Sequence, residues 1–372
     1  KAALANGLVG REVARVSATA GTATDPVQKA VEINGLGAAL IIDTPGLDDI
    51  TSLGKERMAR TARMLDKTDI AVVLFTDAGT DTELKLLEEL RVREIPAIVA
   101  LTQSDRIADS EALAKHINIL TNKEVIRLSA TTGEGIEALR EAIVKCRPSD
   151  ERLITEGFCK AGDIVMLVMP QDASAPKGRL IQPQVQTIRE LLDRGCIPIC
   201  TTPDSMAEAL AGLKEAPALI ITDSQAFEAA YRQKPEASTL TSFSILFARY
   251  KGDIKLFTEG VKALGRLTPT SRILIAEACS HTPQNEDIGR VKLPRILRKK
   301  FGEELHIDIV GGNDYPEDLT QYDLVIHCGA CMFNRKHVLS RVERARSQGV
   351  AITNYGVILA ALTGILDRVR VD

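Results

Sequence analysis

The sequence has no tryptophan, and aromatic residues make up only 3% of its 372 positions, so its cores must be built from aliphatic side chains. No run of about 18 consecutive apolar residues occurs, and we therefore expect no transmembrane helix. The net charge is only −3, which gives no electrostatic reason to expect nucleic acid or a membrane surface as a partner. Together with 45% hydrophobic residues, these values indicate a soluble, globular protein.

The chain also has few cysteines, seven in all, and their odd number and uneven spacing do not fit a disulfide framework. No signal peptide is visible at its start, and we expect a reducing, cytoplasmic location. A length of 372 residues favours two or three domains, and a polar stretch with proline at 147–152 favours a linker. The fold class that we predict is α/β, with three consecutive domains of mainly parallel sheet at 1–147, 148–250 and 251–372.

In the first third, short apolar runs alternate with charged segments of helical character. This alternation predicts an α/β domain with a largely parallel sheet. The strand-like runs lie at residues 38–42, 70–75, 97–101 and 125–128.

Polar motifs follow three of these runs. Asp43-Thr44-Pro45-Gly46 follows the first run, Thr102-Gln103-Ser104-Asp105 the third, and Ser129-Ala130 the fourth. Ligands of open parallel sheets bind beyond the carboxyl ends of the strands, so the three motifs are expected to meet one ligand.

In this order and spacing, the motifs resemble those of small GTPases of the TrmE–Era class, with a P-loop GTPase fold. The resemblance implies that Asp43 holds Mg²⁺ through water and that the Gly46 amide senses the γ-phosphate of GTP. It also implies that Asp105 pairs with the guanine edge, while Ser129-Ala130 backs the base. Residues 21–25 resemble the switch I segment. The nucleotide-binding set implied in this way is Lys1, Thr22, Thr24, Asp43, Gly46, Thr102, Asp105, Ser129 and Ala130.

The phosphate loop itself is not in the chain, but residues 1–8 resemble its usual continuation, which makes Lys1 the expected phosphate-loop lysine. The sequence departs from the family pattern at three places. Ala2 replaces the hydroxyl residue that binds Mg²⁺, Ala23 stands where switch I commonly has threonine, and Thr102-Gln103 replace Asn-Lys. GTP hydrolysis is the activity that the resemblance implies, with no catalytic residue assigned.

The middle third predicts a second βαβαβ unit, with strands at 164–169, 197–200 and 218–222. Its conspicuous residues are Cys196 and Cys200, which are interpreted either as buried free thiols or as a metal-binding pair. A parallel sheet without a ligand motif is typical of assembly. Pairing of edge strands between two copies would extend the sheet across a homodimer.

The last third holds Cys279-Ser280-His281 and His327-Cys328-Gly329-Ala330-Cys331, which contain three of the seven cysteines and two of the five histidines. Strands predicted at 272–277 and 324–326 are separated by a helix at 288–300 and a strand at 306–310. If the strands are parallel, the two motifs emerge at one edge of the sheet. A C-x-x-C turn with a third cysteine is typical of a metal or cluster site.

Three interpretations are open from the residues alone: buried structural thiols, a zinc site with three cysteines and one histidine, and a [4Fe-4S] cluster held by three cysteines. The whole chain resembles the GTPase among the [FeFe]-hydrogenase maturation proteins, whose signature is C-x-H, a long spacer and H-C-x-x-C. That resemblance implies a [4Fe-4S] cluster on Cys279, Cys328 and Cys331. His281 or His327 is the candidate fourth ligand, or both act from outside the ligand shell.

The resemblance also implies a function. A protein of this family is a dimeric scaffold that receives a diiron subcluster from two radical-SAM maturases and passes it to apo-[FeFe]-hydrogenase. The rival hypothesis is a GTP-dependent RNA-modification or ribosome-assembly factor with a structural zinc, against which the acidic net charge stands. A redox enzyme is a third hypothesis, and it is disfavoured because electron-transfer clusters are normally fully ligated by cysteine.

Overall fold

The structure is a computed structural model of the chain. The chain separates into two compact units, Lys1–Asp150 and Glu151–Asp372. Among the residues that the structure describes, no helix is long and apolar enough to cross a bilayer. The described residues are 2–9, 27–33, 35–43, 64–77, 81–147, 152–171, 178, 180–277, 287–312, 314–330 and 333–372.

The first unit is an α/β unit. Its elements are α1 (Ala2–Val9), β1 (Val27–Ile33), β2 (Gly37–Asp43), β3 (Ala71–Phe75), α2 (Asp81–Val92), β4 (Ala97–Thr102), α3 (Ser110–Thr121), β5 (Val125–Leu128) and α4 (Ile136–Lys145). β1 and β2 form an antiparallel hairpin, and β3, β4 and β5 form a parallel sheet in that order.

Strand β4 shows why these elements form. Its alternate residues Val99 and Leu101 pack against α2 and α3 on one face of the sheet. Ile98 and Ala100 pack with α1 and α4 on the other face. Because both faces are covered, the strand consists of a continuous apolar run, as parallel strands in α/β units do.

The second unit contains two further parallel sheets. Its elements are β6 (Ile164–Val168), α5 (Gln182–Asp193), β7 (Ile197–Thr201), α6 (Met206–Ala211), β8 (Leu219–Thr222), α7 (Phe227–Gln233), β9 (Thr239–Ser242), α8 (Phe243–Lys251), α9 (Ile254–Gly260), β10 (Arg272–Ala276), a π-helical turn (Ile288–Lys292), α10 (Leu293–Phe301), β11 (His306–Val310), β12 (Leu324–His327), α11 (Arg335–Ser347), β13 (Ile352–Asn354) and α12 (Tyr355–Leu362).

The two sheets have the same strand order. It is β7-β6-β8-β9 in the first and β11-β10-β12-β13 in the second. In this doubly wound order the direction of winding reverses between the first and third strands, and ligands bind in the crevice formed there. These switch points lie between β6 and β8 and between β10 and β12.

The two sheets also share a hydrophobic core. Met166 and Val168 on one face of β6 belong to the same buried cluster as Ile273 and Ile275 of β10. The opposite face of β6 packs against α5 and α8 in a separate cluster. The unit is therefore joined by apolar packing, to which burial of each large aliphatic side chain contributes about 1.5–3 kcal/mol.

The edges of the β6 sheet differ from each other. The backbone N–H of Arg370 donates to the Leu240 carbonyl of β9 at 2.8 Å, and the Thr241 hydroxyl donates to the Arg370 carbonyl at 2.8 Å. The C-terminal segment thus covers the β9 edge. Within the described part of the chain, β7 has a strand partner on one side only, and Ile197 at its start is 52% exposed.

The structure confirms an α/β chain with mainly parallel sheets, and it confirms that β10 and β12 are parallel. Three strands, β1, β9 and β13, were not predicted. The domain limits 1–147, 148–250 and 251–372 stay a prediction. One expectation in the middle region is half wrong: Cys196 is buried, but Cys200 is exposed because it lies on edge strand β7. The sulfur nearest to Cys196 is that of Cys159, at 3.7 Å.

Candidate functional site

The candidate metal site lies at the switch point of the last sheet. Ala276, the last residue of β10, is in register with His327, the last residue of β12. The backbone N–H of Cys328 donates to the Ala276 carbonyl at 3.0 Å. In the sequence, Cys279 is three residues beyond Ala276, and Cys328 directly follows His327, so the two adjacent strands that precede the motifs end side by side. This is the crevice in which doubly wound sheets bind ligands.

The structure describes two of the five predicted residues of this site, His327 and Cys328. The other three, Cys279, His281 and Cys331, lie outside the described residues. In the described part of the chain, no group of three or more His, Cys, Asp and Glu side chains is placed to hold a metal ion.

The backbone after β12 contacts the Cys328 thiol directly. Cys328 is half-buried, and its Sγ accepts the backbone N–H of Ala330 at 3.4 Å. Ala330 itself has a φ of 47°, in the left-handed region that few non-glycine residues adopt. Such strained positions persist where the surroundings hold them, and they are concentrated at functional sites. Cys328 therefore fits the role of a metal-ligating thiolate.

Both ring nitrogens of His327 are hydrogen-bonded within the protein. Nδ1 lies 2.8 Å from the Cys328 carbonyl, and Nε2 lies 3.3 Å from Nη1 of Arg341. A guanidinium can only donate, so Nε2 is the acceptor and the proton of the neutral ring is on Nδ1, which donates to the carbonyl. Complete burial, with a smaller effect of the Arg341 charge, lowers the pKa of His327 to about 3. The ring is thus a neutral link between strand β12 and helix α11.

Arg341 contacts the ends of three strands. Its Nη1 donates to the carbonyl of Glu277, just after β10, at 3.3 Å, as well as to His327 at the end of β12. Its Nη2 donates to the carbonyl of Gly312, two residues after β11. Cζ lies 4.8 Å from the ring centroid of Tyr315. Arg341 is only 3% exposed, so a buried cation joins the ends of these three strands.

A second buried cation holds the other side of the turn. Lys251, the last residue of α8, is 7% exposed. Its Nζ donates to the carbonyl of Ala330 at 3.0 Å and to the carbonyl of Phe333 at 2.8 Å. These two carbonyls flank residues 331–332. Positive charge buried on both sides favours a negatively charged group at the turn, because Coulomb interactions strengthen in a low-dielectric interior.

The candidate nucleotide site lies in the first unit, where β4 and β5 end side by side with Thr102 in register with Leu128. Asp105 lies exposed in the 3-10 turn Ser104–Arg106 that follows β4. Ser129 follows β5 and is fully buried, while Ala130 is exposed. The sheet therefore brings the two motifs together at one edge.

Glu134 joins these two loops. It accepts the Ser104 hydroxyl on Oε2 at 2.7 Å, and its backbone carbonyl accepts the N–H of Ser129 at 3.1 Å. The neighbouring Gly135 has a φ of 73°, and a Cβ built on it would lie 1.9 Å from the carbonyl oxygen of Arg127. Only glycine fits there, because the turn packs directly on the backbone of β5.

The remaining residues of the predicted nucleotide set are placed less fully. Asp43 ends β2 and is half-buried, in the hairpin with β1. The others lie outside the described residues: Lys1, Thr22, Thr24 and Gly46.

Three residues that support these sites were not predicted: Glu134, Lys251 and Arg341. Each is a charged residue within a helix or turn, and charged residues in such places are usually solvated. One signal was available, because Lys251 ends a helix, Phe243–Lys251, that is apolar nearly all round. A charge on such a helix is either at its end or buried with partners.

Sequence models of known families match nearly the whole chain. The model described as hydrogen maturase F tetramerization domain matches residues 255–370. The hydrogen maturase F dimerization domain matches residues 154–252. A model described as 50S ribosome-binding GTPase matches residues 1–103.

Curated relatives are similar to this chain over about 40% of its length. The tRNA modification GTPase MnmE of Lachnoclostridium phytofermentans is 35% identical over 152 residues, which are 39% of this chain and 31% of that protein. MnmE of Nitrosomonas europaea is 32% identical over 160 residues, 42% of this chain and 34% of that protein. The chain spans about a third of the length of these relatives.

Solved structures give weaker matches. A structure of Era with MgGDPNP and nucleotides of 16S ribosomal RNA has a TM-score of 0.36 and 17% identity, and it covers 54% of this chain and 88% of its own. A probable GTP-binding protein engB has a TM-score of 0.32 and 20% identity, with 39% and 91% covered.

Proposed function

Since this chain belongs to the hydrogen maturase F family of hydrogenase-maturation GTPases, we propose that it is an iron–sulfur scaffold controlled by GTP. In this proposal the chain receives a diiron subcluster precursor and delivers it to apo-[FeFe]-hydrogenase. The donors are two radical-SAM maturases.

One observation carries the cluster part of the proposal. The β10–β12 switch point places the end of the strand before Cys279 and the end of the strand before Cys328 in adjacent register, joined by the Cys328–Ala276 hydrogen bond of 3.0 Å. Residues far apart in sequence thus leave the sheet at one point. Cys279, Cys328 and Cys331 would hold a [4Fe-4S] cluster there. When bound, a cluster with three thiolates supplies one iron with an exchangeable position, which suits a carrier.

The hydrogen bonds of His327 support a positioning role for this residue. A ligating imidazole needs a free nitrogen lone pair, whereas the Nε2 lone pair of His327 accepts from Arg341 and Nδ1 carries the proton. Of the two candidate fourth ligands, we therefore propose His281 as the one that would bind the exchangeable iron.

The first unit is the GTP-binding part. We propose that Asp105 recognises the guanine edge and that Ser129-Ala130 backs the base, at loops held together by Glu134. Asp43 is proposed to hold Mg²⁺ through water. A family GTPase hydrolyses GTP, and in this chain hydrolysis is proposed to control exchange of partners. The metal chemistry itself belongs to the second unit.

The dimerization domain of the family is present, and the edge of its sheet supports a specific contact. β9 is covered by the C-terminal segment, whereas β7 offers its outer edge with Ile197 at 52% exposure. An uncovered strand edge pairs readily with another strand. We propose that β7 pairs with β7 of a second copy to form a homodimer.

Anaerobic reconstitution with iron and sulfide, followed by EPR of the dithionite-reduced protein, tests the proposal. We expect a [4Fe-4S]⁺ signal that shifts when imidazole is added, because one iron is exchangeable. Cys328→Ser should abolish the signal. Cys146→Ser, which changes a half-buried cysteine of the first unit, should leave it intact. A colourless protein with one zinc per chain would contradict the proposal.

The MnmE likeness favours a second candidate, a GTP-dependent RNA-modification factor with a structural zinc. It rests on about 40% of this chain, whereas the two maturase domain models match the rest. The zinc outcome of the reconstitution experiment would favour this second function.

A further inference from the structure

We propose that Arg341 is the positioning residue of the cysteine site and that its guanidinium sets the separation of the loops that carry the thiols. This inference rests on the proposed cluster. The contacts that carry it are those of the guanidinium with Glu277, His327 and Gly312.

The guanidinium bridges the two strand ends that precede the cysteine motifs. Glu277 is two residues before Cys279, and His327 is one residue before Cys328. A single Nη1 atom lies 3.3 Å from an acceptor of each. The guanidinium is planar and its donors have fixed directions, so it defines the distance between its acceptors in a way that a flexible ammonium does not.

Tyr315 holds Arg341 through its ring and its hydroxyl. The Tyr315 ring lies 4.8 Å from its Cζ, and the Tyr315 hydroxyl donates to the backbone carbonyl of Arg341 at 3.3 Å. A cation over an aromatic face is stabilised by the ring quadrupole, most strongly when it is buried. The guanidinium of Arg341 is therefore held in its orientation before any metal binds.

The guanidinium of Arg341 is also a buried positive charge. Arg341 is 3% exposed, and its guanidinium contacts the ring of His327, the residue before Cys328. A buried positive charge favours thiolates and stabilises the more negative, reduced state of a redox group beside it. Arg341 therefore has two separable effects: the geometry of its guanidinium and the sign of its charge.

Two substitutions separate these effects. Arg341→Lys keeps the positive charge but loses the planar set of guanidinium donors, and Arg341→Met loses both. The matched control is Arg344→Met on the same helix. Arg344 lies 5.6 Å from the same Tyr315 ring and donates to the carbonyls of Tyr315 and Pro316, further along the loop after β11.

Each reconstituted protein is measured for iron and sulfide per chain, for the rate of iron loss to EDTA and for the midpoint potential. Arg341→Lys should lose iron about 10-fold faster than the parent chain, in line with the effect of supporting residues at metal sites, with little change in potential. Arg341→Met should lose iron as fast or faster and have a more negative potential. Arg344→Met should resemble the parent chain in both. Equal rates of iron loss for Arg341→Lys and Arg344→Met would overturn the proposal.

A measurement on the metal-free protein covers the case in which Arg341→Met fails to fold. ¹⁵N NMR of the side chain of His327, assigned with His327→Gln, should show the Nδ1–H tautomer in the parent chain and a tautomer mixture in Arg341→Lys. An unchanged tautomer would also overturn the proposal. If the parent chain binds no cluster, the proposed function fails instead, and the two failures are thereby distinguished.

Discussion

Lys251 gives the sharpest stability prediction, because its two hydrogen bonds join α8 to the cysteine turn. Replacing it with methionine removes two charge-assisted bonds, of 3.0 and 2.8 Å, to the carbonyls of Ala330 and Phe333. Such bonds contribute about 1.5–3 kcal/mol each, and relief of the buried ammonium offsets part of the loss. We expect Lys251→Met to lower the free energy of unfolding by about 2–4 kcal/mol.

In a unit of this size, each kcal/mol corresponds to about 2–4 °C in Tm. Thermal unfolding of the metal-free chain measures the loss, and hydrogen exchange of residues 328–335 shows whether it is local. The matched control is Lys255→Met, an exposed lysine on α9 that should change stability by less than about 0.5 kcal/mol. If both variants have the same Tm, or if the exchange of the turn is unchanged, the two hydrogen bonds do not hold the turn.

Three further predictions follow from the structure. Gly135→Ala should lower the stability of the first unit by about 2 kcal/mol or more, because its Cβ would overlap a carbonyl oxygen. The same variant should weaken GTP binding, as measured by calorimetry. Gly133→Ala, at a φ of 83° with open space around it, should lower stability by only about 1 kcal/mol. The folded-state pKa of His327 lies below its unfolded value, so stability falls as pH falls from 6.5 towards 3, by up to about 1.4 kcal/mol per pH unit. His327→Gln should make the denaturant midpoint less sensitive to pH in that window, and an unchanged slope would refute the assignment. Burial, with the adjacent thiol, raises the pKa of Cys196 to about 11, so iodoacetamide at pH 8 should modify exposed Cys200 first, as mass spectrometry of the peptides would show.

Most of the predicted strands are short apolar runs between charged segments, and the central ones, such as β4, β6 and β10, are buried on both faces. Three strands were not predicted. β1 (VQKAVEI) has polar side chains among its apolar ones and pairs in an antiparallel hairpin. β9 (TLTS) and β13 (ITN) are only four and three residues long and contain polar side chains. Their burial depends on partners from distant parts of the chain. Hydrophobic patterns within a short window do not report such partners.

The candidate site divides in the same way. The cysteine spacing predicts Cys279, Cys328 and Cys331 as ligands, since a ligand motif is local in sequence. Arg341 and Lys251 could not be found, because their acceptors are mainly backbone carbonyls that the strand order brings together from separate segments. Every residue has a carbonyl, so no sequence pattern marks the ones that a buried cation will bind.

The two sheets have the same strand order, but different groups lie beyond the ends of their strands. Beyond the strands of the β6 sheet, polar side chains bond to each other, as Gln184 does to Asp223 at 3.2 Å. Beyond the strands of the β10 sheet, buried cations bind backbone carbonyls on both sides of Cys328 instead. The turn is thus held by the protein through groups that are not metal ligands. The proposed carrier role requires such an arrangement, because a turn that was ordered only by its metal, as in a zinc finger, would unfold each time the proposed cargo was released.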